Sequence, residues 1–397
     1  MKTLLILNAG IEAVPGIIKA KSMGLKIILC DKNKLSPGFK YADYKIYSSI
    51  YDDKKIINSL DKIFKKIKID GVITFSSDAS LSVAKIAKKY SLPGNTIQSA
   101  ILSTDKLKMK NKFKKKKISI PWFREINNLK DLQSFIKRNK SKYIIKPIDN
   151  CGSRGVLQID RKTDLKWAYN YCVSKSKKKK IIIEKFLKGK QISTESILYN
   201  KDSITPGMIE RNYEYLKKFR PFVIENGGQQ PINLNKKTVK NISDLVVRAG
   251  RCLGIKKGIV KGDIVLHKNK PYIIEIATRL SGGWMSSHQI PIATGVDILK
   301  IAIKISLGEK IDLNRIKIKK RKATAIRYLF PIENSFFKKR KRITKNKYII
   351  KFFINLKNNH FVKKFTDHTT RAGFVITAAQ NKNKAILEAK KFIRKIY

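Results

Sequence analysis

The stretch IIKPIDNCGSRGV, residues 144–156, restricts this chain more than any other. Apolar residues lead into Lys146 and Pro147, and a short loop then carries Gly152, Ser153, Arg154 and Gly155. A phosphate loop of the G-x-x-x-x-G-K-[ST] kind puts its lysine after the glycines and opens a helix. Here the lysine comes first and a strand, VLQID, follows. The glycine loop is therefore predicted as the tip of a β-hairpin. Such a tip can act as a flap that lays backbone N–H groups over phosphates from above. Glycine serves there because a side chain would block close backbone approach. Lys146 reaches the same ligand from the incoming strand. An ordinary glycine hairpin with a surface lysine fits the stretch equally well.

The chain has 397 residues, 42% of them hydrophobic, enough for two or three domains with a large core. Lys and Arg number 88 against 29 acids, a formal charge of +59. The excess is mostly lysine spread along the whole length beside many Ile and Asn, as an AT-rich coding bias would leave on exposed faces. That reading is favoured over a specific nucleic-acid partner. Cys30, Cys151, Cys172 and Cys252 are far apart, without C-x-x-C pairing or a histidine at zinc spacing. Reduced thiols in a cytoplasmic protein are expected. MKTLLILNAGIEAV has a short apolar run interrupted by Glu12, and reads as a first strand rather than a signal peptide. No apolar run is long enough to span a bilayer.

TLLIL (3–7), a helix over about 12–22 and KIILC (26–30) form a β-α-β unit, the start of a doubly wound parallel sheet. Asp31 stands where a dinucleotide fold places its ribose acid, but NAGIEAVPG lacks the G-x-G-x-x-G fingerprint. DGVITFSSD (70–78) reads as another strand and its loop. Residues 103–117 read as a helix capped by Ser103 or Thr104. Strands are expected at 143–149, 156–160, 181–187 and 192–199, with helices at 163–175 and 236–253. KKRKRITKNK (338–347) reads as a solvated hairpin or loop, and the last helix as 383–396.

Asp263 and Glu275 lie on two apolar strands, IVKGDIVL and PYIIEIA, joined by a short turn. A three-residue loop centred on Asn269 pairs 267 with 271, 265 with 273 and 263 with 275. The two acids are then direct neighbours on one face, with Cβ atoms about 4.5–5.5 Å apart. Two ionised carboxylates so close repel unless a cation or proton lies between them. A hard divalent ion, above all Mg²⁺, is the natural occupant.

A lysine beside a glycine hairpin, followed by paired acids on a later hairpin, resembles the ATP-grasp superfamily of ADP-forming carboxylate–amine ligases. The resemblance covers nearly the whole chain. It implies an α/β and α+β protein: a Rossmann-like pre-ATP-grasp domain (1–100), an ATP-grasp domain (101–320, small lobe about 120–190), and a small C-terminal α+β domain (321–397). It implies ATP and Mg²⁺ (or Mn²⁺) as cofactors. It gives Lys106 and Lys146 to the phosphates and Gly152, Ser153, Arg154 and Gly155 to the flap. Glu184 would meet the adenine amino group, with Lys185, Phe186 and Leu187 as the hinge whose backbone reads the adenine edge. Gln191 takes the place of an acidic ribose ligand. Asp263 and Glu275 match the metal carboxylates, and Arg279 the arginine that stabilises the transferring phosphoryl group. Strand parity with Gln191 points Glu195 into the cleft, where it could meet the substrate amine. The loop SGGWMSSHQ, with Ser281, Gly282, Gly283, Trp284 and His288, would shape the acceptor pocket, His288 being a candidate base. Ala277 stands where many members carry a metal-binding Asn.

The partners expected from this are a small-molecule carboxylate and an amine, with a homodimer as the assembly to consider. Two other enzymes of the same kind remain open, an ATP-grasp carboxylase and a carbamoyl-phosphate-type synthetase. So do a nucleotide-binding scaffold, suggested by Ala277, and a basic nucleic-acid-binding protein, suggested by the charge.

Overall fold

The computed structural model describes residues 1–63, 67–338 and 346–396; most of the basic run 338–347 lies outside them. The N-terminal sheet is parallel, ordered Tyr44–Ile46, Lys26–Cys30, Thr3–Leu7, Gly71–Ile73. TLLIL is buried throughout because the sheet is covered on both faces. Leu4, Ile6, Ile27 and Leu29 join one core and Leu5, Leu7, Ile28 and Cys30 the other. The first core includes Ile298, Ala302 and Ile303 of the helix Ile298–Ser306, so a later segment of the chain closes this face. Asp31 accepts hydrogen bonds from Ala9 N (3.0 Å) and Asn33 N (2.9 Å), and so holds the first βα loop. Both its oxygens are committed to backbone, which leaves the ribose reading without support.

The predicted helix from 103 divides in two. Ile97–Thr104 is capped by Thr96, and Lys106–Lys115 is capped by Asp105, whose side chain accepts Lys108 N at 3.1 Å. Asp105 is extended (φ −106°, ψ 106°) and ion-paired to Lys178 at 2.6 Å, so the helix breaks there rather than starting at Ser103 or Thr104. The break places Lys106 at the first turn, facing the cleft.

A four-stranded antiparallel sheet forms the small lobe, ordered Phe123–Ile126, Ile181–Lys185, Tyr143–Pro147, Leu157–Ile159. Tyr143–Pro147 and Leu157–Ile159 are the two arms of the glycine hairpin. An eight-stranded sheet faces it, ordered Lys270–Ala277, Lys257–His267, Lys190–Tyr199, Asp202–Asn212, Gly227–Gln230, Ala323–Tyr328, Gly373–Ala379, Ile349–Ile354. The last three strands come from the segment beyond 320, so its sheet is continuous with that of the central region. Alternation along these strands separates two faces. Ile192, Ile264, Ile273 and Ile276 pack with Ile242, Leu245, Val246 and Ala249 on the helix Lys236–Cys252. Gln191, Ser193, Lys261, Asp263 and Glu275 face the small lobe across a cavity. Among the described residues no helix is long and apolar enough to cross a membrane.

Candidate active site

The cleft between the lobes is a cavity of about 740 Å³, within the ordinary range for small-molecule sites. On its floor Asp263 pairs with Glu275, as predicted, but by a different route. The turn is two residues, Lys268 and Asn269, both at positive φ (47° and 60°), and His267 pairs with Lys270. That alone would place Asp263 opposite Ile274. A bulge at Ile274 shifts the register by one and restores the acid pair.

Each acid already has basic neighbours. Lys106 Nζ donates to Glu275 Oε1 at 2.9 Å and to Asn150 O, at the flap base, at 2.7 Å. Asp263 accepts from Ser193 Oγ at 2.6 Å, is ion-paired with Lys261, and lies 3.4 Å from Arg211 Nη1. Burial would raise the Asp263 pKa, but Lys261 and Arg211 override it and hold the carboxyl well below its usual range. Lys261 stands directly opposite Ala277 in the sheet, and its ammonium group is the one paired with Asp263. Among the described residues no group of three or more His, Cys, Asp or Glu is arranged for a metal ion. Two carboxylate oxygen donors nevertheless suit Mg²⁺, which takes one or two carboxylates and completes its shell with phosphates and water.

Glu184 and Lys146 meet on the small-lobe wall, Nζ to Oε1 at 2.8 Å, and Lys110 Nζ approaches the same oxygen at 3.1 Å. All three side chains are buried. Burial works against the Glu184 charge, yet the two lysines hold its pKa below the ordinary value; burial pushes Lys110 down to about 8. The carboxylate expected to meet adenine is thus occupied by two ammonium groups. Lys110 was missed because only its fold, not its spacing, brings it to Glu184. At the hinge, Lys185 N donates to Trp122 O (2.9 Å) and Phe186 N to Lys142 O (3.1 Å). Of the hinge N–H groups, only that of Leu187 is without a partner among the described residues.

The flap adopts left-handed φ at Gly152, Ser153 and Gly155 (62°, 64° and 78°), which gives these glycines a second reason. Ser153 Oγ donates to Val223 O, and His368 N donates to Gly152 O at 3.0 Å. Gly152, Ser153 and Arg154 line the cavity, while Gly155 packs behind it, where an added Cβ would meet Pro147 at 2.8 Å.

The far end of the cavity mixes charges from distant parts of the chain. Arg279 forms a two-pronged ion pair with Asp78, both contacts at 2.7 Å. Arg211 holds Glu225 Oε2 at 2.7 Å, and Arg371 donates to Glu225 O at 2.7 Å while lying over the Tyr328 ring at 3.6 Å. Glu12, Asp78, Arg211, Glu225, Tyr328 and Arg371 all line the cavity, and the sequence reading assigned none of them. Only Arg211 carried a usable signal, since it lies opposite Gln191 in the sheet.

Besides Gly155, three predicted residues do not line the cavity. Glu195 is on the cleft face, as parity requires, but the 281–289 loop folds over it. It accepts Ser281 N and Ser286 Oγ, each at 2.6 Å, and burial lifts its pKa to about 7. It anchors the loop rather than meeting a substrate. Trp284 is 3% exposed and packs on Phe374 with ring centroids 4.8 Å apart. His288 lies edge-on to Trp284, bonds Ser287 Oγ, and is lowered to about 4 by burial and Lys351. Ser281, Gly282 and Gly283 do line the cavity, and so do Met285 and Gln289 of the same loop, which were not singled out.

This architecture and site define an ATP-grasp protein. Residues 103–283 match the family model for the ATP-grasp domain and residues 17–94 that for the ATP-grasp N-terminal domain; the chain belongs to this family. It is 24% identical over 315 residues to the carbamoyl phosphate synthase large chain of Clostridium perfringens strain 13, covering 77% of this chain and 28% of that one. It thus spans little more than a quarter of the length of that relative. Among solved structures it resembles an L-amino acid ligase from Bacillus licheniformis (TM-score 0.84, 18% identity, 100% of this chain and 98% of that one). It also resembles a phosphoribosylglycinamide synthetase from Anaerococcus prevotii (TM-score 0.75, 21% identity, 100% and 98%).

Proposed function

We propose that this protein is an ATP-dependent ligase that joins a carboxylate to an amine through an acyl phosphate, releasing ADP and phosphate. One observation carries the reading: Asp263 and Glu275 face each other on the floor of the cavity whose rim holds Lys106, Lys146 and the glycine flap. A carboxylate resists amines because its leaving group would be oxide. Transfer of the ATP γ-phosphoryl to it supplies a good leaving group, and the amine then expels phosphate.

The chain's part is to align, neutralise and enclose. Lys106 and Lys146 meet the phosphates, exchanging Glu275 and Glu184 for phosphate oxygens. Asp263 and Glu275 would hold Mg²⁺ or Mn²⁺, which when bound offsets polyphosphate charge. Arg279, held in place by Asp78, meets the transferring phosphoryl group and the acyl phosphate. The Leu187 N–H is the hinge donor left free, among the described residues, for the adenine edge, and Gln191 has an amide suited to ribose hydroxyls. The flap keeps out water that would hydrolyse the intermediate. The four cysteines are free, which suits a reducing cytoplasm.

Screening amino acids, dipeptides and sugar acids against amines for substrate-dependent ADP release tests the function. Glu275→Gln keeps the size of the side chain and removes its charge; turnover is expected to fall by at least about 100-fold with the circular dichroism spectrum unchanged. Retained activity would defeat the metal assignment. The carbamoyl phosphate synthase likeness favours a second reading, with bicarbonate as the acid; ADP release dependent on bicarbonate alone would select it.

A further inference from the structure

Glu12 stands in the loop after the first strand, in the stretch that lacks dinucleotide glycines, and no role above uses it. Its carboxylate forms part of the acceptor-end wall. Oε2 accepts Gly283 N at 3.0 Å, and no lysine or arginine among the described residues is within ion-pair distance. The nearby guanidinium groups are committed elsewhere, Arg279 to Asp78 and Arg371 to Glu225 O. The wall leaves room for the carboxylate only because residue 282 is glycine: an added Cβ would lie 2.6 Å from Glu12 Oε2. Each other acid of this wall, Asp78 and Glu225, has its own arginine. Glu12 is the acid of this wall without an ion-pair partner among the described residues.

We propose that Glu12 receives the amine substrate as its ammonium ion and takes one proton from it. This rests on the ligase reading and adds to it the charge state in which the amine is selected. The ammonium gives one proton to Glu12. The freed lone pair forms the C–N bond as the C–O bond to phosphate breaks. A second N–H proton leaves with the phosphate, and the third stays on the amide. Burial lifts the Glu12 pKa above the ordinary carboxylate value, which narrows the gap to an amine and favours the transfer. The same carboxylate repels the acid substrate and keeps it at the Arg279 side.

The test compares acceptors of different charge, using an acid that supports ADP release. Glycine, alanine and lysine present ammonium groups at neutral pH; hydroxylamine is uncharged and traps acyl phosphates as hydroxamates. Glu12→Gln keeps an oxygen for Gly283 N–H and removes the charge. The ratio of kcat/KM for a cationic acceptor to that for hydroxylamine is expected to drop at least about tenfold, the scale of a lost charge-assisted hydrogen bond. Gly282→Ala leaves the carboxylate but crowds it, and should lower the same ratio. An unchanged ratio in both variants would reduce Glu12 to a loop anchor and overturn the inference. So would a wild type that forms hydroxamates yet accepts none of the cationic amines, and that result leaves the acyl-phosphate reading standing. Absence of both ADP release and hydroxamate with every acid would instead remove the ligase reading, and the inference with it.

Discussion

The two ends of the cleft differ in how fully their acids are paired. At the nucleotide end every acid has a basic partner: Glu184 has Lys146 and Lys110, Glu275 has Lys106, and Asp263 has Lys261 and Arg211. At the acceptor end Asp78 and Glu225 also have arginines, but Glu12 has only a backbone N–H, and Glu195 a backbone N–H and a hydroxyl. Under the proposed function, the difference matches what each end would bind. A polyphosphate exchanges partners with lysines that are already charged and in place, whereas an ammonium adds a charge where one is lacking.

The sharpest way to break the comparison is Glu184→Gln. It leaves Lys110 and Lys146 buried without their carboxylate, and should destabilise the protein by about 3–5 kcal/mol in urea unfolding at pH 7. A change within experimental error would mean that the nucleotide end is not electrostatically coupled. Next comes Glu195→Gln. The folded pKa of Glu195 is raised from 4.5 to about 7. The stability it contributes as a neutral acid is therefore full below about pH 4.5 and lost as pH rises through 7. The amide variant should be more stable than the wild type by about 3 kcal/mol at pH 8, a gain that vanishes below pH 4.5. A variant less stable at pH 8 would show that the charged form is the one the 281–289 loop requires. The smallest effect is expected for Glu12→Gln. Burial raises the Glu12 pKa, so the wild type loses stability as pH rises. The variant should match or slightly exceed it in thermal unfolding at pH 7–8. A marked destabilisation would move Glu12 from ligand binding to structural support.

What was legible in the sequence is what short-range geometry controls. The hairpin of Lys146 and the flap, and the facing acids Asp263 and Glu275, depend on turns and strand alternation within a few residues. Even so, the acid pair was reached through the wrong turn length. A two-residue turn and a bulge each displace the register by one, in opposite senses, and apolar periodicity registers neither. Parity placed Glu195 on the correct face but could not show that Ser281 and Ser286 would cover it. Trp284 and His288 look like pocket residues by type. Their positions follow from packing against Phe374 and Lys351, on segments the alternation does not link to them.

By itself the sequence determined the lobes, the flap and the anionic floor, because each is a local pattern of turns, alternation and charge. Only the tertiary structure decided which polar groups meet: Glu12 with the Gly283 N–H, Asp78 with Arg279, Arg371 with the Glu225 carbonyl, Lys110 with Glu184. Those meetings depend on how separate sheets dock. Docking is set by the burial of whole faces, and so carries no trace in the spacing of the residues it brings together.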